Sequence, residues 1–290
     1  MTGVPGGATG RSGRTGGSAP TAYRIAAGYG LLALARNRLA LILLAVFVPL
    51  WITVAKTVAT PELFPFRLRA TGQVLHAGGD KITMISGSLN AVSLLVGFWM
   101  FSAARRTAAF DRRLTAAGFP RGALLAAKLT ALLATAALVS AYAVAWMMLY
   151  WRPRQPGLLV LAVLAASLIY GAMGLFLSLF LPGEVEGMVA IIMTSIIDLA
   201  PQNPIAATTA NSPLIAWLPS YGSLQTSLQA GFTDRPALAP LADSLAWLAA
   251  LSLVALAAFL RRTHVHTAAP PGDRPAGGPL RRAAGVFGRR

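Results

Sequence analysis

Long runs of apolar residues, separated by short polar segments, dominate the hydrophobicity pattern of this chain. A helix needs about 20 apolar residues to cross the hydrocarbon core of a bilayer, and five runs reach that length. The runs lack the strict alternation of apolar and polar positions that membrane barrel strands show, so they predict helices. The five predicted spans are residues 39–58, 82–103, 123–151, 157–181 and 238–260.

A sixth apolar run, residues 187–200, is shorter than the others. At a helical rise of about 1.5 Å per residue it covers only about 21 Å. Prolines at 201, 204, 213 and 219 interrupt the apolar residues that follow. Counted in chain order, residues 187–200 are the fifth span and residues 238–260 the sixth. Proline breaks a helix, so the sequence predicts a broken or re-entrant segment between these two spans.

The remaining segments flank these spans. Residues 21–38 mix large apolar side chains with arginines, which is typical of a helix lying along the membrane surface. Residues 1–20 and 263–290 are rich in Gly or Pro and are expected to be disordered tails. The predicted fold is therefore all-α: a polytopic membrane protein with six transmembrane helices in a single domain, residues 21–262.

Composition supports this class, because 56% of the 290 residues are hydrophobic and 12% are charged. The net charge of +16 follows from topology. With six crossings, most of the 25 Lys and Arg residues fall in the N-terminal segment, the 104–122 loop and the C-terminal tail, all on one side. The positive-inside rule then places both termini in the cytoplasm, with the spans in the plasma (inner) membrane. Nucleic acid is not an expected partner; the bilayer is.

Several kinds of chemistry are excluded by missing residues. The chain has no cysteine, and its three histidines lie outside the predicted spans. The sequence contains no phosphate-binding loop of the form G-x-x-x-x-G-K-S/T. We therefore expect no enzyme activity, metal or cofactor in this chain, and any ATP that drives it must be bound by another polypeptide.

The loop after the second span carries the most distinctive pattern, FDRRLTAAGFPRGALLAAKLT, which begins at Phe110. Apolar positions here share one helical face and arginines lie roughly opposite, which indicates a short amphipathic helix. Gly118 suits a helix end and Pro120 blocks continuation, so a new helix should start at about Arg121. This helix either binds a partner or rests on lipid while its arginines fix the topology.

Acidic residues near the fifth span form a second group of candidates. Glu184 and Glu186 lie in the turn before it, as a gate, a contact with a partner, or stabilisers of the positive end of that helix. Asp198 lies in an apolar segment, where a carboxylate costs about 2.5 to 3.5 kcal/mol at mid-membrane. Together with Pro201 it is a candidate for a substrate route or outer gate, or it caps the broken helix by hydrogen bonds.

Small residues recur in the second and fourth spans, with Ser93 and Gly97 in one and Gly171 and Gly174 in the other. Their spacing predicts two helices that approach each other closely.

The order of these segments resembles the permease subunit of ABC-2-type exporters. The likeness covers residues 21–262: a surface helix, two spans, the RRTAAFDRRLTAAGFPRGALLAAKL loop, two spans, the LPGEVEG turn, a broken span and a last span. It implies a permease that moves a hydrophobic or amphipathic substrate outward and pairs with a second permease subunit. It also implies a separate ATPase subunit that holds ATP and Mg and docks on a cytoplasmic coupling helix. The residues implied in that contact are Phe110, Asp111, Arg112, Arg113 and Leu114.

Two other functions remain open at this stage. A proton-coupled secondary transporter could use Glu184, Glu186 and Asp198 as titrating carboxylates. The chain could also be a membrane scaffold or immunity protein that transports nothing.

Overall fold

The computed structural model describes residues 19–205 and 212–264, and the apolar runs form its longest helices. Five helices are long and apolar enough to cross a membrane. They lie close to the predicted spans: α2 (Arg38–Val58), α3 (Gly79–Ala116), α4 (Arg121–Met147), α5 (Pro156–Leu177) and α8 (Ala239–His264). The chain is thus mostly helical and has the character of a membrane protein. Most of the predicted tails, residues 1–18 and 265–290, lie outside the described residues.

A helix, α1 (Ala19–Ala35), also forms where the surface helix is predicted, and it packs along α4; its place at a membrane surface stays a prediction. The Tyr23 hydroxyl lies 2.8 Å from Oγ1 of Thr130 in α4. The chain then turns at Asn37, whose side chain caps α2 by accepting a hydrogen bond from the Ala40 N–H. A side-chain cap of this kind satisfies one of the orphan donors at a helix start.

The prediction of an all-α chain misses a small sheet. Residues 63–78 form an antiparallel hairpin of β1 (Leu63–Arg67) and β2 (Val74–Gly78), with Leu63 opposite Gly78 and Arg67 opposite Val74. Gly72 in its turn has φ of +71°, a conformation that glycine adopts without strain. The hairpin packs on the start of α3, so it covers the end of the bundle where α2 finishes.

The second span is longer than predicted, because α3 runs without a break from Gly79 to Ala116. Its 38 residues are about 57 Å long. The sequence predicts a separate amphipathic helix after residue 103, but the structure makes that segment the final part of α3. Alanine and arginine are good helix formers, so the change from apolar to charged residues does not end the helix.

Helix α3 is also the centre of the bundle, packing against α2, α4, α5, α6 and α7. Its contact with α5 is the closest, as the small residues predict. A Cβ added to Gly174 would overlap the Gly97 carbonyl oxygen, and one added to Gly171 would lie 3.1 Å from Cγ1 of Val96 in α3. Larger side chains at these positions would push the helices apart.

The short apolar run at 187–200, the fifth predicted span in chain order, forms a shorter helix, α6 (Glu184–Leu199). Its 16 residues do not meet the length of a span on their own, so six crossings remain a prediction. The region that follows is interrupted, with 3₁₀ turns at Ala200–Gln202 and Pro213–Trp217. It then enters α7 (Tyr221–Phe232), whose side chains are almost entirely buried although six of them carry hydroxyl or amide groups.

Candidate functional site

The end of α3 and the beginning of α4 form a helical hairpin, residues 104–128, which we call the basic hairpin. Its turn is closed by a Schellman motif, in which the Phe119 N–H donates to the Leu114 carbonyl and the Gly118 N–H to the Thr115 carbonyl. Gly118 has φ of +87°, and Pro120 precedes the first residue of α4, Arg121. The predicted break at 118–120 and the predicted restart at 121 are therefore confirmed.

The basic hairpin extends past the neighbouring helix α2. Arg106 of α3 borders the same groove as Asn37, the residue immediately before α2. Residues 107–116 therefore continue past the level at which α2 begins, by about 15 Å at the usual helical rise. The tip of the hairpin is thus set apart from the apolar bundle.

A polar lock inside the hairpin joins its two helices. Nζ of Lys128 lies 2.7 Å from Oδ2 of Asp111 and donates to the Thr107 hydroxyl at 3.1 Å. That hydroxyl in turn donates to Asp111 at 3.2 Å. Both charged side chains are mostly shielded from solvent, at 27% and 18% exposure, which strengthens the pair relative to a surface ion pair. Asp111 is therefore engaged within the hairpin.

The other residues predicted to contact an ATPase lie at the surface. The Phe110 side chain is 62% exposed. Arg112 and Arg113 are exposed, and Leu114 is half-buried. The structure thus divides the predicted set: Asp111 points into the lock, while Phe110 and its two neighbouring arginines form an apolar and basic outer face.

The predicted acidic turn lies beside the basic hairpin. Oε1 of Glu184 accepts from Nε of Arg106 at 3.4 Å and from the Ser102 hydroxyl at 3.1 Å. Arg105 donates to the Pro182 carbonyl in the same turn. Glu186 has a different role, because its carboxylate accepts the Gly183 N–H at 3.4 Å at the start of α6. That contact, and the helix end it serves, favour the stabilising interpretation of Glu186.

Asp198 lies at the other end of α6, about 21 Å from Glu184 along the helix axis, and is only 2% exposed. Its Oδ2 accepts the Tyr170 hydroxyl at 2.7 Å. Its Oδ1 accepts Nε2 of Gln202 at 3.0 Å and the Ser220 N–H at 3.2 Å. The carboxylate therefore connects α5, the end of α6 and the start of α7. These contacts favour the capping interpretation over an exposed place on a route, and Pro201 lies in the 3₁₀ turn beside the cluster.

Three partners in these clusters were not predicted from the sequence: Lys128, Tyr170 and Gln202. Lys128 had a usable signal, since it is the one charged residue between Gly122 and Trp151. Tyr170 had a weaker one, as a hydroxyl within an apolar run. The contact of Ser220 through its backbone N–H has no sequence signal at all.

The sequence matches no model of a known protein family, and no characterised protein matches it. Within the described residues, no group of three or more His, Cys, Asp or Glu side chains could hold a metal ion. The geometry of the basic hairpin and of the Asp198 cluster is therefore the basis for a functional proposal.

Proposed function

We propose that this chain is the membrane-spanning permease subunit of an ATP-binding-cassette exporter. In this proposal it lies in the plasma (inner) membrane with six crossings and both termini in the cytoplasm. It pairs with a second permease subunit and moves a hydrophobic or amphipathic substrate. A separately encoded ATPase subunit, which binds ATP and Mg, drives the transport.

The observation that carries the proposal is the continuity of α3. One end of this helix is the central element of the apolar bundle, and the other end is the basic hairpin with the exposed Phe110. A displacement at the tip is transmitted to the bundle because a helix of about 57 Å has no break at which to absorb it. The Asp111 to Lys128 lock makes α4 move with α3. Such rigid-body motion is a common way to convert a binding event into a change of state.

The outer face of the hairpin has the chemistry of a docking site. An exposed aromatic ring supplies apolar contact area, and adjacent arginines supply charge-assisted hydrogen bonds. Interfaces are enriched in both kinds of residue. In this proposal Phe110, Arg112, Arg113 and Leu114 contact the ATPase, while Asp111 holds the hairpin in shape. Glu184 stabilises the neighbouring face through Arg106.

Co-purification tests the docking site. The tagged full-length chain is expressed with candidate ABC ATPase subunits from the same organism, extracted in mild detergent and purified, and the ATPase retained is quantified. The double variant Phe110→Asp with Arg112→Glu should lose the ATPase, because it replaces the apolar and basic contacts by acidic groups. The matched control is Leu149→Asp with Arg152→Glu, an exposed apolar and basic pair in the α4–α5 connection, at the opposite end of the bundle. Equal retention of the ATPase by wild type and by the Phe110 variant would show that this face is not the docking site.

Transport in reconstituted vesicles separates the exporter from a proton-coupled transporter. Permease with ATPase should move a hydrophobic fluorescent substrate only when ATP is hydrolysed. Transport by the permease alone under a pH gradient would defeat the proposal and favour titrating carboxylates. Asp198, one of the three carboxylates of that alternative, is buried and accepts hydrogen bonds from Tyr170, Gln202 and the Ser220 N–H.

A further inference from the structure

A shallow surface groove lies between the beginning of α2 and the second half of α3. Its apolar wall consists of Leu39, Leu43, Leu95 and Phe98. Leu39 is 58% exposed, so the groove opens sideways toward the lipid-facing surface of α2. A groove with this lining accepts a hydrocarbon chain and repels a free, fully hydrated anion.

The polarity of the groove changes along α3. Leu95 and Phe98 lie at its inner end, Ser102 follows one turn later, and Arg106 lies at the mouth. Asn37, at the start of α2, borders the mouth from the other side. This order, apolar inside and cationic at the helix start, matches a phospholipid, whose acyl chains lie deeper in the membrane than its phosphate.

The mouth carries an excess of positive charge. Arg36 and Arg38 flank Asn37 and are exposed, and Arg106 is the third arginine. Glu184 contacts only Nε of Arg106 among the described contacts of that side chain, so its terminal nitrogens remain available. Guanidinium groups bind phosphate oxygens through paired hydrogen bonds, which favours an anionic headgroup.

A buried donor in the wall of the groove lacks a partner. Nε1 of Trp99 is shielded from solvent, and no described group accepts its hydrogen bond. Trp99 lines the groove between the apolar wall and Arg106. Because solvent does not reach this N–H, an occupant of the groove can contact the exposed edge of the Trp99 ring but not the donor itself.

We propose that the groove between α2 and α3 binds one anionic phospholipid, with its phosphate on Arg106 and an acyl chain along Leu39, Leu43 and Phe98. This site shares only Arg106 with the basic hairpin and includes none of the four residues proposed to contact the ATPase. It would fix the beginning of α2 against α3.

Native mass spectrometry of the detergent-solubilised full chain tests the site. The probes are phosphatidylglycerol and phosphatidylcholine with the same palmitoyl and oleoyl chains. Wild type should retain one phosphatidylglycerol in preference to phosphatidylcholine. Arg106→Gln should weaken phosphatidylglycerol binding roughly tenfold, the usual effect of losing a hydrogen bond to a charged group.

Matched variants distinguish specific lipid binding in the groove from non-specific attraction to arginines on the surface. Arg112→Gln removes an equal charge on the same helix outside the groove, so binding should stay within about twofold of wild type. Glu184→Gln removes the acid beside Arg106 and should leave binding equal or tighter. Leu43→Trp fills the groove without changing charge and should weaken binding. Equal losses in Arg106→Gln and Arg112→Gln, or undiminished binding in Leu43→Trp, would overturn the proposal.

Competition identifies the source of the phosphate. Glycerol phosphate and inorganic phosphate should fail to displace the bound lipid, because they lack the chain that the apolar wall holds. Displacement by either one at millimolar concentration would mean that the mouth binds a free anion, and the lipid assignment would be wrong.

Discussion

At the scale of single residues, a carboxylate is accommodated inside an apolar segment because its neighbours supply donors. Both oxygens of Asp198 are occupied, by Tyr170, Gln202 and the Ser220 N–H. Removing the carboxylate leaves the Tyr170 hydroxyl and the Ser220 N–H buried without an acceptor. Each orphaned group costs about 1 to 3 kcal/mol. Asp198→Ala orphans both donors, whereas Tyr170→Phe removes one donor from a carboxylate that keeps Gln202 and the Ser220 N–H.

We therefore expect Asp198→Ala to lower the thermal stability of the detergent-solubilised protein strongly, and Tyr170→Phe to lower it less. Intrinsic tryptophan fluorescence during heating measures both midpoints. The comparison variant is Asp243→Ala, which changes an exposed carboxylate in α8 and should leave the midpoint nearly unchanged. If Asp198→Ala unfolds at the same temperature as Asp243→Ala, the carboxylate does not hold α5, α6 and α7 together.

At the scale of elements, the pairing of α3 with α5 depends on the absence of side chains at the contact. A Cβ on Gly174 would meet the backbone of Gly97, which cannot rotate away. Gly174→Ala should therefore separate the helices and destabilise the protein by about 1 to 3 kcal/mol. Gly157→Ala on the same helix is the control, because nothing lies within 4 Å of the added methyl group there. Chemical denaturation of both variants measures the difference, and equal midpoints would show that α3 and α5 adjust without cost.

The elements also show which kinds of structure a sequence pattern can predict. Apolar runs locate α2, α4, α5 and α8 well, because a bilayer imposes both length and composition on its helices. The end of α3 is predicted less well. The change from apolar to charged residues marks where the helix passes from lipid to water, but the helix itself ends only at the turn from Gly118 to Pro120. The buried helix α7 has no apolar periodicity to reveal it. Its polar side chains are satisfied in part by residues distant in sequence, such as Ser244, whose Oγ lies 2.9 Å from that of Ser223.

At the scale of the whole molecule, whether α6 takes part in a membrane crossing depends on which side of the membrane the flanking connections lie. Asp234, in the α7–α8 connection, lies beside Arg154 of the α4–α5 connection, with 3.6 Å between Nη1 and Oδ2. That connection is at the opposite end of α4 from the basic hairpin. Residues 110 and 234 should therefore face opposite compartments, which requires α6 and the segment after it to complete a crossing.

Cysteine labelling tests this arrangement, and the chain suits it because it contains no native cysteine. A membrane-impermeant maleimide should label Phe110→Cys in inside-out vesicles and Asp234→Cys in right-side-out vesicles. The parent chain reports background labelling. Labelling of both positions from the same side would mean that α6 enters and leaves the membrane on one face.

The enclosure of α7 has a consequence for the order in which the protein is made. This helix has 12 residues and several polar side chains, so it is too short and too polar to enter a bilayer alone. One of its walls is α8: a Cβ on Gly222 would lie 1.9 Å from the Pro240 carbonyl oxygen. Because α8 leaves the ribosome after α7, the polar helix cannot reach its final place until α8 has been synthesised and inserted. Assembly of the bundle therefore finishes with a segment from the interior of the chain.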